Sequence, residues 1–383
     1  MIYGGKLLAT GSKSCVIHPN IRCNNNKYKK RNKKTISKIV FGDTSKEYSV
    51  REKDINDKIR RIPNYKKWAL IYDELCKPPS LDESIKIDKG VENCLKEETY
   101  ELHSGIDKKK EELFDKNSIM LIGDYGGITI GDYFTKEFDN VDNLKTLEEK
   151  FLKLVQKMEY LFEGLYELNK YGISHLDIKQ NNIVIQNGIF KFIDFGLSNE
   201  FKNTEHFLKR SQNEFKTQRV YVWYPIEYIF FSADKKQLEY EKEKIKVSGI
   251  NEFRNHMTMY DDINIFFGRN TTNDIMSIID GYAKLDKKKF LNDEYKELIK
   301  GVDTYSFGML IPFLFYNQGL IDYVENSKII TDFFYLFRDM CEPYYKNRIS
   351  LSDAYKRFKL LLYKYSKKKK RTRKKKKKKS KKK

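Results

Sequence analysis

The stretch His175-Leu176-Asp177-Ile178-Lys179-Gln180-Asn181-Asn182, followed by Asp194-Phe195-Gly196, decides how this chain reads. Between the two, Asn182-Ile183-Val184-Ile185 and Phe190-Lys191-Phe192-Ile193 have the β-branched and aromatic character of short strands. Asn187-Gly188 lies between them and is the dipeptide a two-residue hairpin turn favours, because both positions need positive φ. Asp177 and Asp194 are 17 residues apart, enough for such a hairpin to join two loops. One loop then carries Asp177, Lys179 and Asn182, and the other carries Asp194. Two carboxylates, an amide and an ammonium at this spacing make these residues the first candidates for a chemical site.

Composition sets the limits. At 383 residues, with 40% hydrophobic and 14% aromatic content, the chain can build more than one core. No run of 18 apolar residues occurs, so no spanning helix is expected. The opening Met1-Ile2-Tyr3-Gly4-Gly5-Lys6 has neither a signal-peptide pattern nor a glycine at position 2 for myristoylation. Cys15, Cys23, Cys76, Cys94 and Cys341 are scattered, odd in number and free of C-x-x-C spacing. Reduced thiols in an intracellular protein are expected, with neither zinc nor a disulfide framework. The net charge of +21 is concentrated at one end: residues 367–383 hold 15 Lys or Arg and no acid, which leaves +6 for the rest. So dense a block of like charge repels itself, and a disordered tail over 364–383 is expected.

Other features fall along the chain in a fixed order. Lys6–Ile17 reads as strand, turn, strand around Gly11, and a basic, asparagine-rich loop spans Asn24–Lys34. Thr35–Phe41 is an apolar-flanked strand carrying Lys38. Glu52, Ile55, Asn56 and Ile59 mark a helix that ends near Pro63-Asn64, with Glu47 as an alternative acid on it. Residues 77–116 are polar, begin at Pro78-Pro79 and read as an insertion between strands. Ser118–Ile122 is a strand that runs into Gly123-Asp124-Tyr125-Gly126-Gly127. Phe151, Leu154, Val155, Met158, Leu161, Phe162, Leu165 and Leu168 predict a core-facing helix over 147–170, stopped at Tyr171-Gly172. Further on come Tyr224-Pro225-Ile226-Glu227, Asp303-Thr304-Tyr305-Ser306-Phe307-Gly308 and Arg348-Ile349-Ser350.

In this order, over about residues 6–360, the motifs resemble those of the eukaryotic-type protein kinase superfamily. Lys179, two residues after Asp177, is similar to the serine/threonine branch. Cys15-Val16, Pro19, Ile21 and Cys23, with Tyr125-Gly126-Gly127-Ile128-Thr129, look like kinases of large double-stranded DNA viruses. The resemblance implies an α+β, bilobal protein-kinase-like fold. A small β-rich N-lobe would span 1–125 with an insertion at about 77–116, and a larger, mainly helical C-lobe 126–363 with an insertion at about 228–300. It implies ATP and Mg2+ as cofactors and a protein substrate. Lys38 would hold the nucleotide phosphates and pair with Glu52. Ala9, Gly11 and Ser14 stand where the glycine-rich loop has its glycines, and Val16 would lie over the adenine. Asp124 and Tyr125 would supply backbone groups to the base, with Gly123 at the gatekeeper position leaving an unusually deep pocket. Asp177 would accept the hydroxyl proton, Lys179 would stabilise the transferred charge, and Asn182 and Asp194 would hold magnesium. Asp303 would brace the catalytic loop, and Glu227 would form a buried ion pair with Arg348.

Three departures bear on function. Leu176 replaces the arginine that would grip an activation-loop phosphate, so regulation by other means, or constitutive activity, is expected. The glycine loop keeps only Gly11, which leaves a pseudokinase acting as a binding or scaffolding module as the alternative function. The segment between Glu227 and Asp303 is several times longer than usual and is expected as a tolerated surface excursion, or else a docking element. The tail over 367–383 is expected to bind a polyanion, nucleic acid or an anionic surface, without base stacking. An intracellular place is expected, in cytoplasm or nucleus or associated with a virion; the sequence leaves the oligomeric state open.

Overall fold

The computed structural model describes residues 6–11, 14–23, 30–95, 108–255, 257–286 and 294–380. Residues 1–5, 12–13, 24–29, 96–107, 256, 287–293 and 381–383 lie outside these, and with them most of the asparagine-rich loop and part of each insertion. The chain forms two compact units: Met1–Gly127 with Ile193–Ser198, and Ile128–Phe192 with Asn199–Lys383.

The first unit is built on five antiparallel strands: β1 (Lys6–Gly11), β2 (Ser14–His18), β3 (Thr35–Val40), β4 (Tyr72–Cys76) and β5 (Ile119–Asp124). Their order is β1-β2-β3-β5-β4. Alternation along β2 sends Cys15 and Ile17 into the core and leaves Ser14, Val16 and His18 half-buried. Helix α1 (Ser45–Arg60) buries Ser45, Ser49, Glu52, Asn56, Ile55 and Ile59, a face in which polar residues outnumber apolar ones four to two.

The 77–116 insertion is more than a polar excursion. It contains α2 (Leu81–Ile87), α3 (Gly90–Leu95) and α4 (Lys108–Asn117), and Leu81, Val91, Cys94, Leu95 and Phe114 join the core of Ile17, Ile39, Met120 and Ile122. Its few apolar residues are spaced to land on one side, a pattern that overall polarity conceals. The expectation of reduced thiols is also corrected. Cys15 pairs with Cys94, and Cys23 with Cys76, as disulfides with Cα separations of 6.0 and 6.1 Å. The partners lie 79 and 53 residues apart, so only the folded sheet and insertion bring them together. Cys341 is free and buried.

In the second unit, α5 (Ile130–Phe138) is opened by a capping box between Thr129 and Asp132. The helix predicted over 147–170 forms as α6 (Leu144–Lys157) and α7 (Glu159–Lys170), interrupted only at Met158. Strands β6 (Ile128–Thr129), β8 (Ile183–Gln186) and β9 (Ile189–Phe192) form one sheet, while β7 (Ile173–Ser174) stands just before the Asp177 loop. The β8–β9 turn uses Asn187 at φ 53° and Gly188 at φ 79°, the left-handed pair that the Asn-Gly dipeptide supplies. Helix α8 (Thr204–Thr217) and the short α9 (Glu227–Phe230) follow.

The long segment before Asp303 is folded into the unit. It forms α10 (Lys235–Ser248), α11 (Met257–Phe266) and α12 (Thr271–Ala283), and buries Leu238, Ile245, Tyr260, Ile263, Ile275, Ile278 and Ile279. Arg269 ties it down by donating to the carbonyls of Cys341 and Arg338 and to the Glu342 carboxylate. A surface excursion would not bury these residues, so that expectation is corrected. The central helix, Tyr295–Asn317, is long and apolar enough to cross a membrane by length and composition; 89% of its most apolar window is buried inside the unit.

The last helix runs Leu351–Ser380. Its start packs Leu351, Ala354, Phe358, Leu362 and Tyr365 inward. The apolar contacts that hold this helix stop at Tyr365, before the lysine run begins.

Candidate active site

In the first unit, β3 places Lys38 across from Val16 on one side and Leu121 on the other. Its ammonium donates to Glu52 Oε2 at 3.0 Å, to Glu52 Oε1 at 3.2 Å and to Asp194 Oδ1 at 2.7 Å. Glu52 is 3% exposed and Glu47 lies on the exposed face of α1, so Glu52 is the acid that meets Lys38. Burial works against the Lys38 ammonium, but Glu52 and Asp194 outweigh it and hold its pKa well above the usual lysine value. Asp194 adopts φ 59°, in the left-handed region that an aspartate tolerates better than most residues, and its carboxylate accepts the Gly196 amide. Arg51, one residue before Glu52, donates to the Gly196 carbonyl at 2.9 Å, so α1 grips this segment at two points.

The remaining nucleotide candidates of this unit lie on β1, β2 and β5. Ala9 pairs with Val16 and Gly11 with Ser14; Ala9 is exposed and Val16 half-buried. Asp124 is exposed at the end of β5. The Tyr125 amide donates to the Lys34 carbonyl at 2.8 Å, so that group is already committed, and its ring stacks on His18 at 4.0 Å. The deep pocket expected at Gly123 is corrected: a Cβ there would meet Ile71 O at 3.0 Å and the Tyr72 ring at 3.1 Å. Tyr72, 8% exposed on the neighbouring strand, occupies the space that the missing side chain would have filled.

In the second unit, the loop between β7 and β8 carries the other candidates. Lys179 Nζ donates to both Asp177 oxygens at 2.9 and 3.0 Å. Asn182 Nδ2 donates to Asp177 Oδ2 at 2.7 Å and to the Asp177 carbonyl at 2.8 Å. Asp303, on the central helix, accepts the amides of His175 at 2.7 Å and Leu176 at 2.8 Å. Burial pushes the Asp303 carboxyl up to about 7, opposed by those two amides. At the far side, Arg348 Nη2 donates to Glu227 Oε1 at 2.6 Å, with both side chains almost wholly out of solvent.

Several residues that matter here were not singled out in the sequence. Burial pushes the Tyr221 phenol up, while Lys179 hydrogen-bonds it, so a tyrosine joins the Asp177–Lys179 group. Tyr224 donates its hydroxyl to the Leu176 carbonyl. Its place in Tyr-Pro-Ile-Glu marks the segment, but nothing local points to Leu176, 48 residues earlier. Arg210 and Tyr72 likewise act through neighbours that only the fold supplies.

The fold is the α+β fold of a protein kinase domain. The family model for the protein kinase domain matches residues 95–229, which contain Asp177, Lys179, Asn182, Asp194 and Glu227. The chain is 28% identical over 127 residues to the Wee1-like protein kinase of Oryza sativa subsp. japonica, covering 29% of this chain and 24% of that protein. It is 32% identical over 85 residues to the dual specificity protein kinase TTK of Mus musculus, covering 21% of this chain and 10% of that protein. The matched regions thus span a quarter or less of these relatives' length. Together the matches support the eukaryotic protein kinase superfamily.

Proposed function

We propose that this chain is a protein kinase that transfers the γ-phosphate of ATP to serine and threonine hydroxyls of proteins. The observation that carries the proposal is the intact Asp177 group: a carboxylate held by Lys179 and Asn182 on a loop whose backbone Asp303 fixes. Asp177 would accept the hydroxyl proton as the oxygen attacks phosphorus, and Lys179 would balance charge on the phosphoryl group in flight. Lys38, positioned by Glu52, would hold the non-transferred phosphates.

Magnesium fits the donor set. Asn182 in the second unit and Asp194 in the first would each offer a hard oxygen ligand, and Asp194 is 36% exposed at its side chain. Among the described residues no group of three His, Cys, Asp or Glu is placed to hold a metal. Magnesium delivered with a nucleotide needs only one or two side-chain oxygens, because phosphates and water complete its shell. When bound, it neutralises the phosphate charge.

The deciding experiment is transfer of radiolabel from γ-labelled ATP to mixed protein substrates, followed by phosphoamino-acid analysis. Label on serine and threonine supports the proposal. Label on tyrosine as well would make this enzyme dual in specificity, as the name of the mouse relative says of that protein. ATP bound without transfer would favour the scaffold reading, which the degraded glycine loop at Ala9 and Ser14 supports.

Activity should not require phosphorylation of the 198–217 segment. Ser198 and Ser211 are fully buried, and Ser211 donates to the Tyr228 carbonyl and accepts the Ser232 amide. Replacing Thr204 and Thr217 with Ala should leave transfer unchanged. A collapse restored by Glu at the same positions would sink this expectation.

The basic tail over 367–383 belongs to the proposal as a polyanion-binding element. DNA binding that falls steeply with salt and vanishes on deletion of 367–383 is expected. Unchanged binding after deletion would refute it. The likeness to kinases of large double-stranded DNA viruses is part of the same reading, carried by the sequence resemblance alone; an intracellular place was expected with reduced thiols, and the Cys15–Cys94 and Cys23–Cys76 pairs speak against that ground.

A further inference from the structure

Leu176, next to the base, sits at φ 58°. A branched side chain rarely adopts this left-handed conformation, which persists only where the surroundings impose it. Two groups impose it here. Asp303 accepts the Leu176 amide on one side, and the Tyr224 hydroxyl donates to the Leu176 carbonyl on the other. Tyr224 is 4% exposed, and burial pushes its phenol well above the usual range, so it remains a donor.

Tyr224 is itself held from above. The Arg210 guanidinium lies 4.5 Å from the centre of its ring. Arg210 Nη1 is out of solvent with no hydrogen-bond partner among the described residues. Burial disfavours the guanidinium charge, and the Tyr224 face, with the Asp177 and Glu214 carboxylates, compensates it; stacking on an aromatic face is strongest when desolvated. Helix α8, which presents Arg210, is pinned at the next residue, where Ser211 bonds Tyr228 O and accepts the Ser232 amide. The cation is therefore built into the fold rather than free to swing.

We propose that Arg210 is a positioning residue which, through Tyr224, holds the Leu176 carbonyl and thereby the Asp177 loop in its working geometry. A fixed internal cation does here what an arginine and an activation-loop phosphate would do elsewhere. The proposal rests on the kinase reading and deepens it: the enzyme is regulated independently of activation-loop phosphate because its brace is already charged.

The test uses the full chain and four variants: Arg210→Met, Arg210→Lys, Tyr224→Phe and the Arg210→Met/Tyr224→Phe double. Two quantities are measured: hydrogen exchange of the amides in 173–178, and kcat against KM for ATP. Arg210→Met and Tyr224→Phe should each speed exchange in 173–178 and lower kcat by about tenfold, with KM for ATP unchanged. The double variant should be no worse than either single one, because both act on one carbonyl. Arg210→Lys, which keeps the cation, should recover most of both effects. Unchanged exchange overturns the proposal, as do additive effects in the double variant, or a loss explained wholly by a lower unfolding midpoint. Exchange needs no turnover. An inactive wild type with the expected exchange pattern would retire the kinase reading and leave the brace standing. An active wild type without that pattern would retire the brace alone.

Discussion

Asp177→Asn lowers phosphoryl transfer by about 10²–10⁴-fold while ATP affinity and the unfolding midpoint stay at wild-type values; this is the range expected for loss of a positioned general base. The argument runs from the loop outward. Asn has the shape of Asp, so the backbone held by Asp303 through the His175 and Leu176 amides has no reason to move. The carbonyl oxygen of the substituted side chain would still accept from Lys179. What disappears is a carboxylate able to take a proton from an attacking hydroxyl. Nucleotide affinity is expected to depend on Lys38, Glu52 and Asp194, which belong to the other unit and are untouched. The measurement is steady-state transfer beside nucleotide binding by fluorescence and a thermal melt. Undiminished transfer in Asp177→Asn would remove Asp177 from the mechanism, and a parallel loss of ATP binding would mean the substitution had damaged more than the base.

The parts of this site legible in the sequence were those where chemistry allows few substitutes. The Asn187-Gly188 turn needs two positive φ values, and the dipeptide that provides them is short-range and nearly unambiguous. Asp303 satisfies two backbone amides at once, which only a carboxylate can do at that place. Glu52 was preferred to Glu47, which stayed open as the alternative, because it opens the run Glu52, Ile55, Asn56, Ile59, the face that α1 buries. Illegible features depended on neighbours far away in the chain. Tyr72 fills the space beside Gly123 because β4 pairs with β5, a register that neither strand announces. The Cys15–Cys94 and Cys23–Cys76 pairs depend on insertion and sheet packing. The Arg210–Tyr224–Leu176 chain joins three segments whose local patterns say nothing of one another.

The insertions show a related limit. Polarity marked 77–116 as an insertion and length marked 228–300 as one; the second was expected as a surface excursion, yet both contribute buried residues to the cores. Helix α12 alone buries Ile275, Ile278, Ile279 and Tyr282 on one stripe. Averaging over a charged helix such as α10 hides three or four residues at helical spacing, yet those residues determine where it packs.

Arg348→Ala destabilises the second unit by about 3–5 kcal/mol, because it strands a buried carboxylate. Arg348 bonds Glu227 at 2.6 Å and also the carbonyls of Glu342 and Pro343, at 1% side-chain exposure. Glu227 in turn accepts the Tyr345 amide at 2.7 Å. Removing the guanidinium leaves Glu227 with that amide but without its cation, at a position fully shut off from water. Burial already pushes the Glu227 carboxyl up to about 6 with Arg348 pulling it down, so without Arg348 it rises further. The pH dependence follows in sign. A carboxyl whose folded pKa exceeds its unfolded value gives stability that is present at low pH and lost as pH rises through the folded value. The deficit of Arg348→Ala relative to wild type is therefore larger at pH 8 than at pH 5. Trp223 reports on this unit and Trp68 on the other, so urea unfolding of Trp68→Phe variants by fluorescence isolates the effect. The Glu227→Gln/Arg348→Met pair should be more stable than Arg348→Ala, since it removes both charges together. A deficit independent of pH, with no recovery in the double variant, would mean that lost packing rather than a stranded charge explains the damage.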